Sequence, residues 1–358
     1  MKDFQKWRAI VLIAVAFGSG AKKASGFELS NGRRVMLERG LQIQSLGFIS
    51  STPAAPTNFS TWNAAHFTAF NSWNDRNSEK ILGWTMPWAR WIKTDGGNPL
   101  TANETNQHST ELVSLQYGDE LNQDGAGTID PDTMAAMSQA YASWRSLVGT
   151  NFLAYSNFGA NNASKSMTPY GLAEYMQSTM PDMLMFDAYP RQYVTLSTWY
   201  AEMQKYRLAG IAGIDGSGRR PIPYAQYLDL YRGSYSASLP DEAFVRLQEF
   251  ASWAFGYTFV TAFVYNKPNN VTVYPALFSS DGDSTPTAVL AQLTEANRQS
   301  LNLGPALVRL TSSDLRMIPG SANSLPAGIP LWSRGAGGSA FITSIVPITG
   351  PGGNTSST

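Results

Sequence analysis

Two short stretches place acids at the close of apolar runs: LQYGDELN, which carries Asp119 and Glu120, and MLMFDAYP, which carries Asp187. Only 15% of the residues are charged, so few counter-charges are available to explain these acids as structural ion pairs. A pair of carboxyl groups facing one cleft divides the work of general acid–base chemistry. One gives a proton to a leaving oxygen, and the other supports developing positive charge or activates water. Rival chemistries are thinly supplied. With no cysteine and only His66 and His108, thiolate nucleophiles and Cys/His zinc sites are absent, and a Ser-His-Asp triad would have to use one of those two histidines.

Carboxylates do this work only if secondary structure brings them to one place. Eight apolar runs recur along the chain, starting at Leu41, His66, Ile81, Leu112, Asn151, Asp182, Arg220 and Tyr257. Several are apolar over consecutive positions, as parallel strands covered on both faces require. Helix signals lie between them. Asp130, Pro131 and Asp132 supply an N-cap, an N1 proline and a first-turn acid, with Met134, Met137, Tyr141, Trp144 and Val148 on one face. Thr168 and Pro169 open a second helix, and two more are expected over 196–207 and 240–254, the latter burying Phe244, Leu247, Ala251 and Ala254. Strand and helix alternating eight times predict an α/β chain folded as a (β/α)8 TIM barrel over residues 37–310. A last helix starts near Ser284 and meets a stop signal at Gly304-Pro305.

The flanks read differently. Residues 1–26 carry Lys2, Lys6 and Arg8 ahead of a short apolar run, the layout of a signal peptide, which predicts a secreted or periplasmic protein with no membrane attachment after cleavage. Lys22 and Lys23 interrupt the cleavage site and favour an uncleaved short anchor as the rival reading. Residues 316–358 form a C-terminal extension with one β-like stretch and a Gly/Ser-rich end, too little to make its own core. Lys plus Arg and Asp plus Glu balance at 26 each, which removes the electrostatic footprint of a nucleic-acid partner.

In a TIM barrel the chemistry lies at the carboxyl ends of the strands. The polar residues expected there are Asp119, Glu120 and Asn122 on the fourth strand, Ser156 and Asn157 on the fifth, Asp187 and Tyr189 on the sixth, Gln226 on the seventh and Tyr265 on the eighth. Asn71, Asn74 and Trp88 come from the second and third. Acids from two strands in a mouth lined by amides and aromatics suit glycosidic-bond cleavage. The 10 Trp and 16 Tyr serve either a large aromatic core or flat platforms for sugar rings.

GDELN at the fourth strand end resembles the Asn-Glu or Asp-Glu signature of clan-A-type glycoside hydrolase barrels. That resemblance implies that Glu120 is the acid/base. The same families place a glutamate nucleophile at the end of strand seven, where PIPYAQYL offers Gln226 instead. Three options follow. Asp187 is the partner carboxylate; or Asp119 and Glu120 form the pair, although neighbours on a strand point to opposite faces; or catalysis is lost. The reading is an exported glycoside hydrolase acting on a poly- or oligosaccharide with Glu120 and Asp187 catalytic. Substrate would be bound by Asp119, Asn122, Trp88, Asn157, Tyr189, Gln226 and Tyr265, with no metal and no cofactor. An inactive glycan-binding barrel presenting Trp88, Trp91, Tyr189 and Gln226 is the alternative, and a structural envelope protein is a third. The stretch NQDGAGTIDPD departs from a calcium loop because Pro131 takes the place of its final acid.

Overall fold

A computed structural model describes residues 28–47, 59–73, 79–94, 99–122, 125, 127–160, 165–233, 235–236, 238–266, 275–279, 283–312, 314–316 and 329. The leader at 1–26, Asn74, Asp124 in the calcium-like stretch, and the extension beyond Arg316 apart from Ile329 lie outside these residues. Among the described residues nine parallel strands make one sheet: β1 (Gln42–Gly47), β2 (Ala69–Ser72), β3 (Trp88–Ile92), β4 (Leu112–Tyr117), β5 (Leu153–Tyr155), β6 (Asn157–Gly159), β7 (Leu184–Asp187), β8 (Tyr224–Asp229) and β9 (Phe259–Phe263). Their order is β5-β4-β3-β2-β1-β9-β8-β7-β6. The two ends of that list, β5 and β6, are separated in the chain by Ser156 alone, so they act as one stave and the chain itself closes an eight-staved barrel.

The helices follow the strands as a (β/α)8 fold demands: α1 (Asn31–Arg39) precedes β1, and α2 (Phe59–Ala64), α3 (Glu79–Leu82), α4 (Ala102–Asn106), α5 (Pro131–Val148), α6 (Pro169–Thr179), α7 (Leu196–Ala212), α8 (Glu242–Ala254) and α9 (Ala288–Leu307) alternate with the staves. Local signals explain the boundaries. Asp130 caps α5 by accepting from the Thr133 N–H, Thr168 caps α6 with Pro169 at its first position, and Thr101 with Glu104 forms a capping box on α4. α5 buries Met134, Met137, Tyr141 and Trp144 on the face its periodicity indicated.

α1 lies across the amino-terminal end of the barrel. Its Ser30 cap donates to Pro221 O at 2.6 Å and Asn31 donates to Asp182 at 2.9 Å, while Arg34 and Arg39 reach Thr150 O and Asn151 O. A Cβ on Gly32 would meet Asp182 O at 1.8 Å, so only glycine allows this approach.

Three expectations need correction. The third strand starts at Trp88, and Ile81 and Leu82 belong to α3, because a short apolar run has no period of its own to separate helix from strand. The last helix passes Gly304 and Pro305 to end at Leu307. α8 buries Val245, Gln248, Glu249, Ser252 and Trp253, a face rotated from the expected Phe244, Leu247, Ala251 and Ala254. Tertiary hydrogen bonds select that face. Gln248 accepts from Asp229 N at 2.6 Å and donates to Asp229 O at 3.1 Å, and Trp253 Nε1 donates to Ser300 Oγ at 2.7 Å. A fully buried ion pair, Arg90 to Glu104 at 2.5 Å, fastens β3 to α4.

Candidate active site

The residues after β4 decide the geometry. Inside the strand, Ser114 and Gln116 face the barrel interior, where Gln44 Nε2 donates to Ser114 Oγ at 3.1 Å across the lumen. Alternation then stops. Gly118 has φ +60° and Glu120 φ +48°, both left-handed. Left-handed backbone at a non-glycine costs about 1–2 kcal/mol and persists where its surroundings hold it. Here the Glu120 N–H donates to Asn157 O at 3.0 Å. The two kinks cancel the opposite-face rule, and Asp119 and Glu120 both turn toward Asp187, which feels the charge of each.

Asn157, on β6, is the hub of this cluster. Its Nδ2 donates to Asp119 Oδ1 at 2.9 Å and to Asp187 Oδ1 at 2.8 Å. Gln116 Nε2 donates to the same Asp119 oxygen at 3.1 Å, and Tyr227 OH on β8 donates to Gln116 Oε1 at 2.5 Å, which leaves the amide nitrogen as the face presented to the acid. The Glu120 carboxyl stands within hydrogen-bonding reach of Asp187. Burial lifts Asp187 well above the usual carboxylate range, and the charges of Glu120 and Asp119 push it further. Burial also raises Asp119 to about 7, opposed by the hydrogen bond from Asn157. Asp119 and Asp187 therefore hold their protons to higher pH than free carboxyls do, as buried acids beside other acids must. The Tyr189 hydroxyl is held well above its ordinary range by burial and then by Asp187, so it remains a proton-bearing donor beside the acids.

A narrow pocket of about 20 Å³ opens over this cluster, lined by Asp119, Asn157, Asp187 and Gln116 with aromatic walls. Trp73 and Trp91 meet edge to face at 4.9 Å, Trp73 lies 5.6 Å from Phe263, and Tyr189 lies 5.5 Å from Phe263. Flat apolar walls around a polar floor suit a ligand with both kinds of surface. Leu46, Trp73, Gln116, Tyr227 and Phe263 line the pocket without having been singled out in the sequence. Their signal was parity: each is an inward position, two or four residues from another inward residue on its stave.

Four expected binding residues lie elsewhere. Trp88 begins β3 at the opposite end from the mouth, is 1% exposed, and donates its indole N–H to His108 O at 2.8 Å. Asn122 ties the loops together, donating to Gly159 O at 3.0 Å and accepting from Gly159 N at 2.9 Å. Gln226 points into the helix layer, accepting from Trp199 Nε1 at 2.8 Å and donating to Ser252 Oγ at 2.6 Å. Its neighbour Tyr227 has the inward place, so Gln226 does not stand in for a lost strand-seven acid. Tyr265 packs among Phe67, Phe70 and Phe278 and donates to Asp283 at 3.3 Å. Ser156 likewise faces the helices, donating to Tyr117 O at 2.8 Å. The seventh stave ends on Asp229, whose carboxylate accepts from Arg191 N at 3.1 Å and is raised to about 6 by burial. Among the described residues no group of three His, Cys, Asp or Glu is placed to hold a metal ion, and no helix is long and apolar enough to cross a membrane.

No protein-family model and no curated protein sequence matches the chain. Solved structures do. A β-galactosidase from the psychrophilic Marinomonas ef1 superposes over 77% of this chain and 63% of its own, with a TM-score of 0.50 and 10% identity. An endo-β-1,4-mannanase from Thermotoga petrophila covers 74% of this chain and 77% of its own at TM-score 0.45 and 11% identity. A β-glucuronidase from Ruminococcus gnavus covers 72% and 50% at TM-score 0.48 and 8% identity, so the chain spans about half the length of that protein. The galactosidase likeness establishes the fold, an α/β TIM barrel similar to that of a glycoside hydrolase.

Proposed function

We propose that this chain is a glycoside hydrolase that cleaves O-glycosidic bonds of an oligo- or polysaccharide with Glu120 and Asp187 as its carboxylate pair. The observation that supports this reading is the convergence of Asp119, Glu120 and Asp187 under aromatic walls at the carboxyl ends of the staves. The reaction consumes one protonated and one ionised carboxyl, and the hydrogen-bonding contact between Glu120 and Asp187 gives a proton a direct route from one to the other. Glu120 is the donor to the departing oxygen, since it is the more exposed of the two and sits on the loop. Asp187 is the nucleophile or base, and Asp119 with Asn157 orients it. Substrate must part the two carboxyls, to about 5–5.5 Å for retention or about 6.5–9.5 Å for inversion. The leader-like residues 1–26 support an exported protein that meets its glycan outside the cytoplasm.

One observation favours a second reading, glycan binding without cleavage: the Glu120 and Asp187 carboxyls lie within hydrogen-bonding reach of each other, closer than either separation that cleavage uses. Glu120→Gln separates the two. Loss of about 10²-fold or more in turnover on a glycan panel supports the acid role. A parent protein that binds glycans and cleaves none, or a Glu120→Gln variant as active as the parent, overturns it.

A further inference from the structure

The pocket does not end at its aromatic walls. From Tyr189, which is 6% exposed, a row of rings continues outward through Tyr193, 46% exposed, to Tyr235, 72% exposed. Tyr189 and Tyr193 lie 6.4 Å apart between ring centroids, and Tyr193 meets Tyr235 at 5.3 Å, nearly edge to face. In the other direction Tyr189 joins the pocket through Phe263 and Trp73. The exposure gradient gives the row a direction, from the acids into solvent.

The two loops that carry these tyrosines are fastened to each other. The Tyr193 N–H donates to Tyr189 O at 2.9 Å, and Asp229 holds the intervening turn through the Arg191 N–H. Gln192, which is buried, donates to Tyr231 O at 3.2 Å and to Ser236 Oγ at 2.9 Å. A Cβ on Gly233 would strike Gln192 Oε1 at 2.3 Å, so the loop after β8 closes tightly on the loop after β7. These bonds fasten the backbone that carries the two exposed rings, which lowers the ordering cost of binding. A tyrosine joins an apolar face to a polar tip, matching the two-sided surface of a sugar ring.

We propose that Tyr193 and Tyr235 form an outer binding subsite for the part of a glycan chain that continues beyond the bond held at the acids, making the protein selective for longer oligosaccharides. This rests on the glycoside hydrolase reading for its cleavage arm, and on continuity with the pocket for its binding arm. The occupant is a saccharide chain, because the row is uncharged and contiguous with the acid pocket.

The test uses a ladder of neutral oligosaccharides of two to six sugars with the parent, Tyr235→Ala, Tyr235→Phe and Tyr193→Ala. Both kcat/KM and the affinity of the Glu120→Gln forms are measured. The expected result is that each alanine variant loses about tenfold more on the hexasaccharide than on the disaccharide, with the phenylalanine variant near the parent. Equal losses at both lengths, or no loss at the longer one, overturn the proposal. If the parent cleaves nothing, chain-length-dependent affinity that disappears in Tyr235→Ala supports the subsite while sinking the hydrolase reading, and affinity independent of length overturns the subsite. A self-associated parent that becomes monomeric on Tyr235→Ala would assign the rings to a subunit contact and also overturn it.

Discussion

Replacing Asp119 by asparagine tests whether the acids are crowded as their contacts imply. Burial holds the Asp119 carboxyl near 7 against an ordinary 3.8, with the charge of Glu120 adding to the effect and the Asn157 and Gln116 bonds working against it. A rise from 3.8 to about 7 corresponds to about 4 kcal/mol before any screening by water. The direction follows from proton binding. Unfolded, Asp119 releases its proton near pH 4; folded, near pH 7. Between those values the native state holds more protons, so its stability falls as pH rises and the whole penalty is present above pH 7. Asparagine escapes it and can keep both bonds, because Asn157 and Gln116 converge on the single oxygen Oδ1. The carboxyl is enclosed while the residue as a whole is only half-buried, so water screening reduces the gain to about 1–3 kcal/mol. For a chain of this size that amounts to a few degrees in Tm. Calorimetric melting at pH 4, 6 and 8 is the assay. Asp119→Asn should exceed the parent at pH 8, by less at pH 6, and match it at pH 4. A difference that does not change with pH, or a less stable variant at pH 8, refutes the crowded-acid argument.

Glu249, raised to about 8 by burial in the α8 face, should behave alike without touching the pocket: Glu249→Gln raises Tm between pH 6 and 9, the gain fades as pH falls toward 4.5, and turnover is retained. Glu104→Ala leaves Arg90 buried and uncompensated, and should cost about 3–5 kcal/mol in denaturant unfolding, most of it recovered when Arg90 is also replaced by methionine. Gln226→Glu adds no nucleophile, since the side chain lies among Trp199 and Ser252. It should leave turnover no higher than the parent's and lower stability by about 1–3 kcal/mol, and a rise in turnover would place Gln226 in the mouth after all.

The acids at the ends of two apolar runs were legible without coordinates, as were α5 with its Asp130 cap and α6 with Thr168 and Pro169, because caps and helical periods are properties of neighbouring residues. Inward parity was also there to be read: continuing it from Gln116, Asn71 and Ala225 would have placed Trp73 and Tyr227 at the pocket and Gln226 outside it. α8 shows the limit of apolar periodicity. Its buried face is chosen by Gln248 and Ser252 bonding to β8, partners 19 and 26 residues away.

The sequence by itself determined the alternation that makes a barrel and the ends at which its acids sit, since both follow from hydrophobic runs and caps that act over a few residues. Which side chains meet was decided only by tertiary structure. The left-handed turn at Gly118 and Glu120 is held by Asn157, and Asn157 in turn joins Asp119 to Asp187. Contacts between residues thirty to seventy positions apart depend on stave order and closure, and no local pattern encodes them.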